Sequence, residues 1–384
     1  MSSAPTYAID PAAFHADPYP DLARMRAEAP ICYVPQLGAT LLTRRDDIHR
    51  QEKRTEVFSS HQPGGLMTVL MGENMMRKDG ADHMAERRAL FPTLSPRTVA
   101  QHWKPIFERE TQAVLEALAP QGQCDLVAEF AMPVSAAALK AITGLTDMQH
   151  AQMDAVSQAM IDGCANYAGD AQIAARCHAA TALIDAHIDQ IWDHAAPQSA
   201  LATQRAAGLH KASIHANIKL IISGGQNEPR DAIAGTIYAL LANPDQLDRV
   251  MQGTATWAQA FAEYARWMSP IGMSPRRVAI ADTVAGVTFA PEDRVFLMFG
   301  SAGRDAAHFE APDTFDLRRD TQAAISFGAG PHFCAGAAAS RCLITEVALP
   351  LAFARLPNLR LTGPVDFAGW AFRGPRAVPV AWDV

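Results

Sequence analysis

The run Phe327-Gly328-Ala329-Gly330-Pro331-His332-Phe333-Cys334-Ala335-Gly336 holds the densest chemistry in the chain. Its glycines let the backbone turn tightly and approach a flat ligand. The alanine-rich segment that follows, including Arg341, reads as a helix. A helix start offers unpaired N–H groups and a positive dipole end, both of which stabilise a thiolate. Cys334 is therefore placed to ionise. The bland alternative is a buried free cysteine beside a glycine-rich turn, the usual fate of an isolated cysteine. A structural zinc site on His332 and Cys334 would need a second cluster at finger spacing, and the sequence has none.

Other candidates are scattered. Glu263 and Arg266, in FAEYARW, stand three apart, where a carboxylate and a guanidinium pair on one helix face. Alone, such a pair usually sits on a solvated face and contributes under about 1 kcal/mol. His83 and Arg87 in DHMAERR, Arg277 in SPRRVA, and His332 are cations suited to fixed ligand carboxylates. Each taken singly is as well read as a surface charge. In the run GGQNEPRD, Gly224 and Gly225 remove side-chain bulk, and Pro229 cannot donate to the carbonyl four residues back. A helix opened there exposes a carbonyl in a groove. Alternatively, Gly-Gly and Pro end one helix and start another, leaving Glu228 and Arg230 solvated.

The elements that must position these residues follow from periodicity. Residues 29–45 contain β-prone runs separated by Gly38, which predicts a hairpin. From about 82 to 268, apolar residues recur at helical spacing, including a long central helix from about Lys211 to Ala242. After Pro270 the pattern shortens into strand-like pieces, RRVAIAD, AGVTFA and RVFLMFG, then returns to a helix from Ala335 to about Phe353. No repeat or linker-like composition shift is present, so residues 1–384 read as one domain, mainly α with small β-sheets near both ends.

Composition narrows the function. With 49% apolar and 19% charged residues the chain buries a large core without a disorder signature. A net charge of −7 with no Lys/Arg block argues against nucleic acid or an anionic membrane as partner. The apolar run Ala232 to Pro244 falls short of the roughly 20 residues a membrane span needs. The start lacks a basic then apolar leader, which predicts cytoplasmic residence. The six cysteines form no CxxC pair, and no disulfide framework is expected in that compartment.

The cysteine run resembles the haem-binding signature of the cytochrome P450 family, FGxGxHxCxG, and further motifs fall in the family's order from about residue 75 onward. The resemblance implies the family's fold, with haem b, one per chain, between the long central helix and the cysteine-loop helix. It makes Cys334 the iron's axial ligand, with Phe327, Gly328 and Gly336 shaping its loop. A thiolate there favours O–O cleavage. Glu263 and Arg266 match the buried ExxR pair, whose third partner is not assigned. His83, Arg87, Arg277 and His332 match propionate ligands. Counting back from Asn243-Pro244-Asp245-Gln246 puts Asn227 at the place of the family's proton-relay acid and Glu228 at that of its threonine. The usual acid and alcohol are absent, which leaves Gly224, Gly225, Asn227 and Glu228 as the candidates for oxygen activation. Met71, Tyr167, Met273 and Phe372 fall in substrate-pocket segments, though each is equally well read as core.

The activity implied is insertion of one oxygen atom from dioxygen into a small apolar substrate. The GGQNEPRD run looks like that of bacterial aromatic O-demethylases acting on guaiacol. The chain has no flavin or iron–sulfur module, which implies a separate ferredoxin and/or NAD(P)H-dependent reductase. Alternatives are a terpenoid, steroid or macrolide hydroxylase, a peroxide-driven peroxygenase, and a non-catalytic haem sensor or recruitment domain. The last has no need of Cys334 or the ExxR pair, and both are present.

Overall fold

The computed structural model describes residues 2–384 and is mainly helical with four small sheets among those residues. It divides into two compact units, each built from separated stretches of chain.

The first unit comprises residues through Gln62, Asn243–Cys334 and Asp366–Arg376. Its five-stranded sheet begins with the hairpin Ile31–Val34 and Ala39–Leu42, which turns at Gly38 with φ 58 as the sequence predicts. Arg294–Leu297 adds parallel to this hairpin, followed by Ser274–Val278 and then Phe58–Ser59, both antiparallel. The helix Trp257–Met268 starts on a capping box, in which the Thr256 hydroxyl accepts the Gln259 N–H and the Gln259 side chain accepts the Thr256 N–H.

The second unit comprises Pro63–Ala242, Ala335–Val365 and Ala377–Val384. Its longest helix, Ala171–Ile191, shows why the sequence folds as it does. The Asp170 carboxylate caps the N–H groups of Gln172 and Ile173, and Cys177, Ala180, Thr181, Ile184 and Ile188 form a single buried stripe at helical spacing. The helix after the cysteine loop is capped at Gly336 and runs from Ala337 to Arg355 through a wider turn over Cys342–Ala348.

One expectation is corrected here. The central segment is two helices, Lys211–Ser223 and Asn227–Ala242, and not one. Pro229 has no N–H to give the carbonyl of Gly225, and Gly224–Gln226 form the turn between the two helices.

Two helical stretches, Leu126–Thr143 and Ala337–Arg355, are long and apolar enough to cross a membrane by length and composition alone. Two-thirds of the first and half of the second are buried inside the protein, as in core helices.

Candidate functional site

In the first unit, the cysteine loop is tied at several points. The Cys334 N–H donates to the Phe327 carbonyl at 2.9 Å, closing the loop, and Gly328 takes φ 82, a conformation favouring glycine. The Ser326 hydroxyl donates to the Ala265 carbonyl at 2.8 Å, and the Phe327 ring stands edge-on to Phe261 with centroids 6.1 Å apart. The loop is thereby fastened to the ExxR helix. His332 and Cys334 are half-buried and Phe333 is exposed.

The cysteines differ in what they can do. Burial pushes the thiols of Cys32, Cys124 and Cys164 up to about 12, and those of Cys177 and Cys342 up to about 11. Burial thus disfavours the thiolate form at those five. Among the described residues no group of three His, Cys, Asp or Glu could hold a bare metal ion. A lone thiolate is therefore suited to a metal that brings its other ligands with it, as haem iron does.

Glu263 and Arg266 are buried and paired by two hydrogen bonds of 2.7 Å each. The remaining N–H groups of Arg266 donate to the carbonyls of Gly303, Pro312 and Thr314, so all five guanidinium donors are used. Arg319 supplies the third partner that the sequence left open, donating to Glu263 at 3.1 Å. Gly303 is required here, because a Cβ would lie 2.0 Å from the Arg266 carbonyl oxygen.

Arg277, expected at a propionate, has protein partners in this structure. Arg277 donates to the carbonyl of His61 and pairs with the exposed Glu292. Its neighbour Arg276 shares a strand face with the buried Val278, is 2% exposed, and lies 3.7 Å from the Glu52 carboxylate. Glu52 in turn accepts the N–H of Ala329 in the cysteine loop at 2.7 Å. Strand alternation sends the two arginines to opposite faces, and Arg276 has the loop side.

Two pocket candidates belong to this unit. The Gly272 N–H donates to the Ala371 carbonyl at 2.8 Å, and Ile271 bridges to Phe372. This pairing brings the buried Met273 and the half-buried Phe372 into one neighbourhood.

In the second unit, His83 and Arg87 occupy one face of the helix Gly80–Leu94, one turn apart, with His83 buried. That helix is anchored by Glu86, whose carboxylate takes Lys78 on one oxygen and the Asn217 amide on the other at 2.8 Å. Met71 is buried with its sulfur 3.6 Å from that of Cys164, and Tyr167 is half-buried.

The helix break is held by hydroxyls from neighbouring helices. The Ser135 hydroxyl donates to the Gln226 carbonyl at 2.8 Å and lies 3.4 Å from that of Gly225, and the Ser157 hydroxyl lies 3.1 Å from the Ile222 carbonyl. The carbonyl freed by Pro229 is thus met by protein. Gly224 is exposed, while a Cβ on Gly225 would lie 2.9 Å from the Leu139 side chain. Only Gly224 therefore opens a surface, and Gly225 serves packing.

The amide of Asn227 is not available for relay: it accepts the Ser157 hydroxyl and donates to Gln158 at 2.7 Å. Asp154 takes Arg230 at 2.9 Å and the Gln226 amide at 3.0 Å, and Asp231 takes Arg230 at 2.8 Å. Glu228 differs from these neighbours. Both its carboxyl oxygens are buried with no hydrogen-bond partner, and burial, aided by Asp231, pushes its acid up to about 8. Near neutral pH it carries a proton.

Within the first unit, Cys334, His332 and the buried Arg276 have the chemistry that haem iron and its carboxylates require. Sequence reasoning missed Arg276, Arg319 and Glu52. Alternation with Val278 could have found Arg276; Glu52 lies in the charged run RRDDIHRQEKR, where nothing distinguishes it.

A family model, Cytochrome P450, matches residues 198–346. The curated protein Cytochrome P450 107B1 of Saccharopolyspora erythraea is 28% identical, with 96% of each chain covered. Steroid C26-monooxygenase of Mycolicibacterium smegmatis is 27% identical over 93% of this chain and 91% of its own. Among solved structures, P450BioI with an acyl carrier protein superposes at TM-score 0.88 and 20% identity, covering 97% of this chain and all of that one. CYP109E1 from Bacillus megaterium with testosterone does so at 0.86 and 21%, covering 96% and 98%.

Proposed function

Since the chain belongs to the cytochrome P450 family and is a monooxygenase with one haem b per chain, we propose that its reaction is O-demethylation of a small methoxylated aromatic such as guaiacol. The observation that carries this reading is the helix break, where exposed Gly224 offers a surface without a side chain beside a buried carboxylic acid, Glu228. A flat, compact ring suits such a surface. In the overall reaction the methoxyarene, dioxygen, two electrons and two protons give a hemiacetal and water, and the hemiacetal collapses to a phenol and formaldehyde.

Bound haem supplies dioxygen activation, and the protein's residues hold it and manage protons. Cys334 would be the axial thiolate, in a loop shaped by Phe327, Gly328 and Gly336. His83, Arg87, Arg276 and His332 would hold the propionates. Glu228 keeps a proton on its carboxyl near neutral pH and would donate it toward the oxygen-binding face. Met71, Tyr167, Met273 and Phe372 would line the substrate's apolar surroundings. Residues 1–384 would act as a single haem-binding domain in the cytoplasm, supplied with electrons by a separate ferredoxin or NAD(P)H-dependent reductase.

A second reading, hydroxylation of a steroid or macrolide, draws on the printed name of the steroid monooxygenase relative. Binding difference spectra with guaiacol against a steroid, terpene and macrolide panel separate the two. Equal amounts of catechol and formaldehyde from guaiacol are expected. A spectral shift and turnover with a steroid, and none with guaiacol, would replace the first reading by the second.

A further inference from the structure

We propose that Glu52 is a positioning residue for the cysteine loop, clamping the turn that carries Cys334 by its Ala329 amide while Arg276 balances its charge. The inference rests on the reading of Cys334 as the iron ligand. It concerns a residue outside the signature run, more than 270 positions earlier in the chain.

The geometry is close on every side of the carboxylate. Glu52 is 2% exposed, and one oxygen accepts the Ala329 N–H at 2.7 Å. The other lies 3.7 Å from Arg276, itself buried. Two loop glycines are needed for this approach. A Cβ on Gly328 would lie 2.9 Å from the Glu52 carboxylate, and one on Gly330 would lie 2.6 Å from the Glu52 backbone oxygen. The glycines were expected to admit a flat ligand; on this side of the loop they admit Glu52. An anionic acceptor on a backbone amide is among the stronger hydrogen bonds. In a buried setting, removing it leaves the amide without a partner. The turn is fixed from both ends: Cys334 N–H to Phe327 at one, Ala329 N–H to Glu52 at the other. Holding a ligand loop from behind is a common way to fix a metal–ligand geometry.

The test compares haem-loaded protein with its Glu52→Ala and Glu52→Gln variants. Amide hydrogen exchange of the peptide spanning Ala329 reads the clamp directly. The reduced carbon monoxide spectrum reads thiolate ligation, and far-ultraviolet circular dichroism reads the fold. Glu52→Ala should speed exchange at Ala329 by about tenfold or more, the loss expected for a charge-assisted bond. It should also convert the thiolate-type spectrum to a non-thiolate form faster, at temperatures where the helical signal is intact. Glu52→Gln keeps an acceptor and should fall between the two, which also provides a reading should Glu52→Ala fail to fold. Unchanged exchange in both variants overturns the clamp. So does spectral loss that occurs only together with loss of helix. Should the unaltered protein show no thiolate-type spectrum while exchange still responds to Glu52, the ligand reading fails and Glu52 is left as a brace of a loop with another purpose, which overturns the positioning role as stated.

Discussion

Replacing Glu228 by glutamine removes a titratable proton and little volume, and the structure sets the size of the effect. An acid moved from 4.5 to about 8 corresponds to about 5 kcal/mol between its two protonation states. The folded acid holds its proton where the unfolded chain has lost it, so folding takes up a proton between those values. Stability from this group is full below about pH 4.5 and is lost as pH rises through about 8. Other buried acids, Asp231 and Glu52, are also raised by burial and act in the same direction. The discriminating quantity is thus the difference between Glu228→Gln and the unaltered protein. In urea unfolding of the haem-loaded protein, the variant's relative stability should rise by about 3 kcal/mol between pH 5.5 and 8. The same proton should appear in turnover. Product per NADH should fall in the unaltered enzyme as pH passes about 8, with the missing electrons recovered as hydrogen peroxide. In Glu228→Gln coupling should be low and flat with pH, while substrate binding persists. A parallel pH dependence of stability in the two proteins would refute the buried-acid argument, and equal coupling at every pH would refute the proton-donor role.

Cys334→Ser should abolish the red-shifted Soret band of the reduced carbon monoxide complex and Cys342→Ser should keep it; a histidine-type spectrum in the unaltered protein would remove the ligand assignment. Arg276→Ala and Arg87→Ala should release haem faster in a transfer assay to apomyoglobin, and Arg277→Ala should not, since its charge is matched by Glu292. Glu263→Gln should lower urea stability by about 3–5 kcal/mol, because Arg266 and Arg319 would be left around a neutral group in a buried site. Asn227→Ala should leave coupling unchanged and reduce stability by about 1–3 kcal/mol through the stranded Ser157 and Gln158 groups.

Local rules carried much of the fold. The hairpin at Gly38, the capped helix at Thr256 and the strands after Pro270 each follow from spacing and turn chemistry in a few adjacent residues. The site was legible where its residues are neighbours in sequence, as in the cysteine run and the Glu263/Arg266 pair. It was illegible where partners come from afar. Arg319 reaches Glu263 across 56 residues and Glu52 reaches Ala329 across 277, distances over which periodicity says nothing. Arg276 was overlooked for a local reason: two adjacent arginines look alike, and only the buried Val278 tells which shares its face. The opening near Pro229 could be read from Gly-Gly and Pro, whereas the serines that fill it lie on other helices.

Those serines bear on how this region can change. Ser135 and Ser157 meet backbone carbonyls beside the break between Ser223 and Asn227, while Asp154 and Gln158 meet the side chains of Gln226 and Asn227. Grafting the acid and threonine of a more usual relative onto positions 227 and 228 would restore two letters of a motif and remove the Asn227 amide that Ser157 and Gln158 share. Neighbours that share a network have strongly non-additive effects. The segment from Gly224 to Asp231 and its contacts on the two flanking helices are therefore inherited or exchanged as one block, and a chimera made here should swap the block whole.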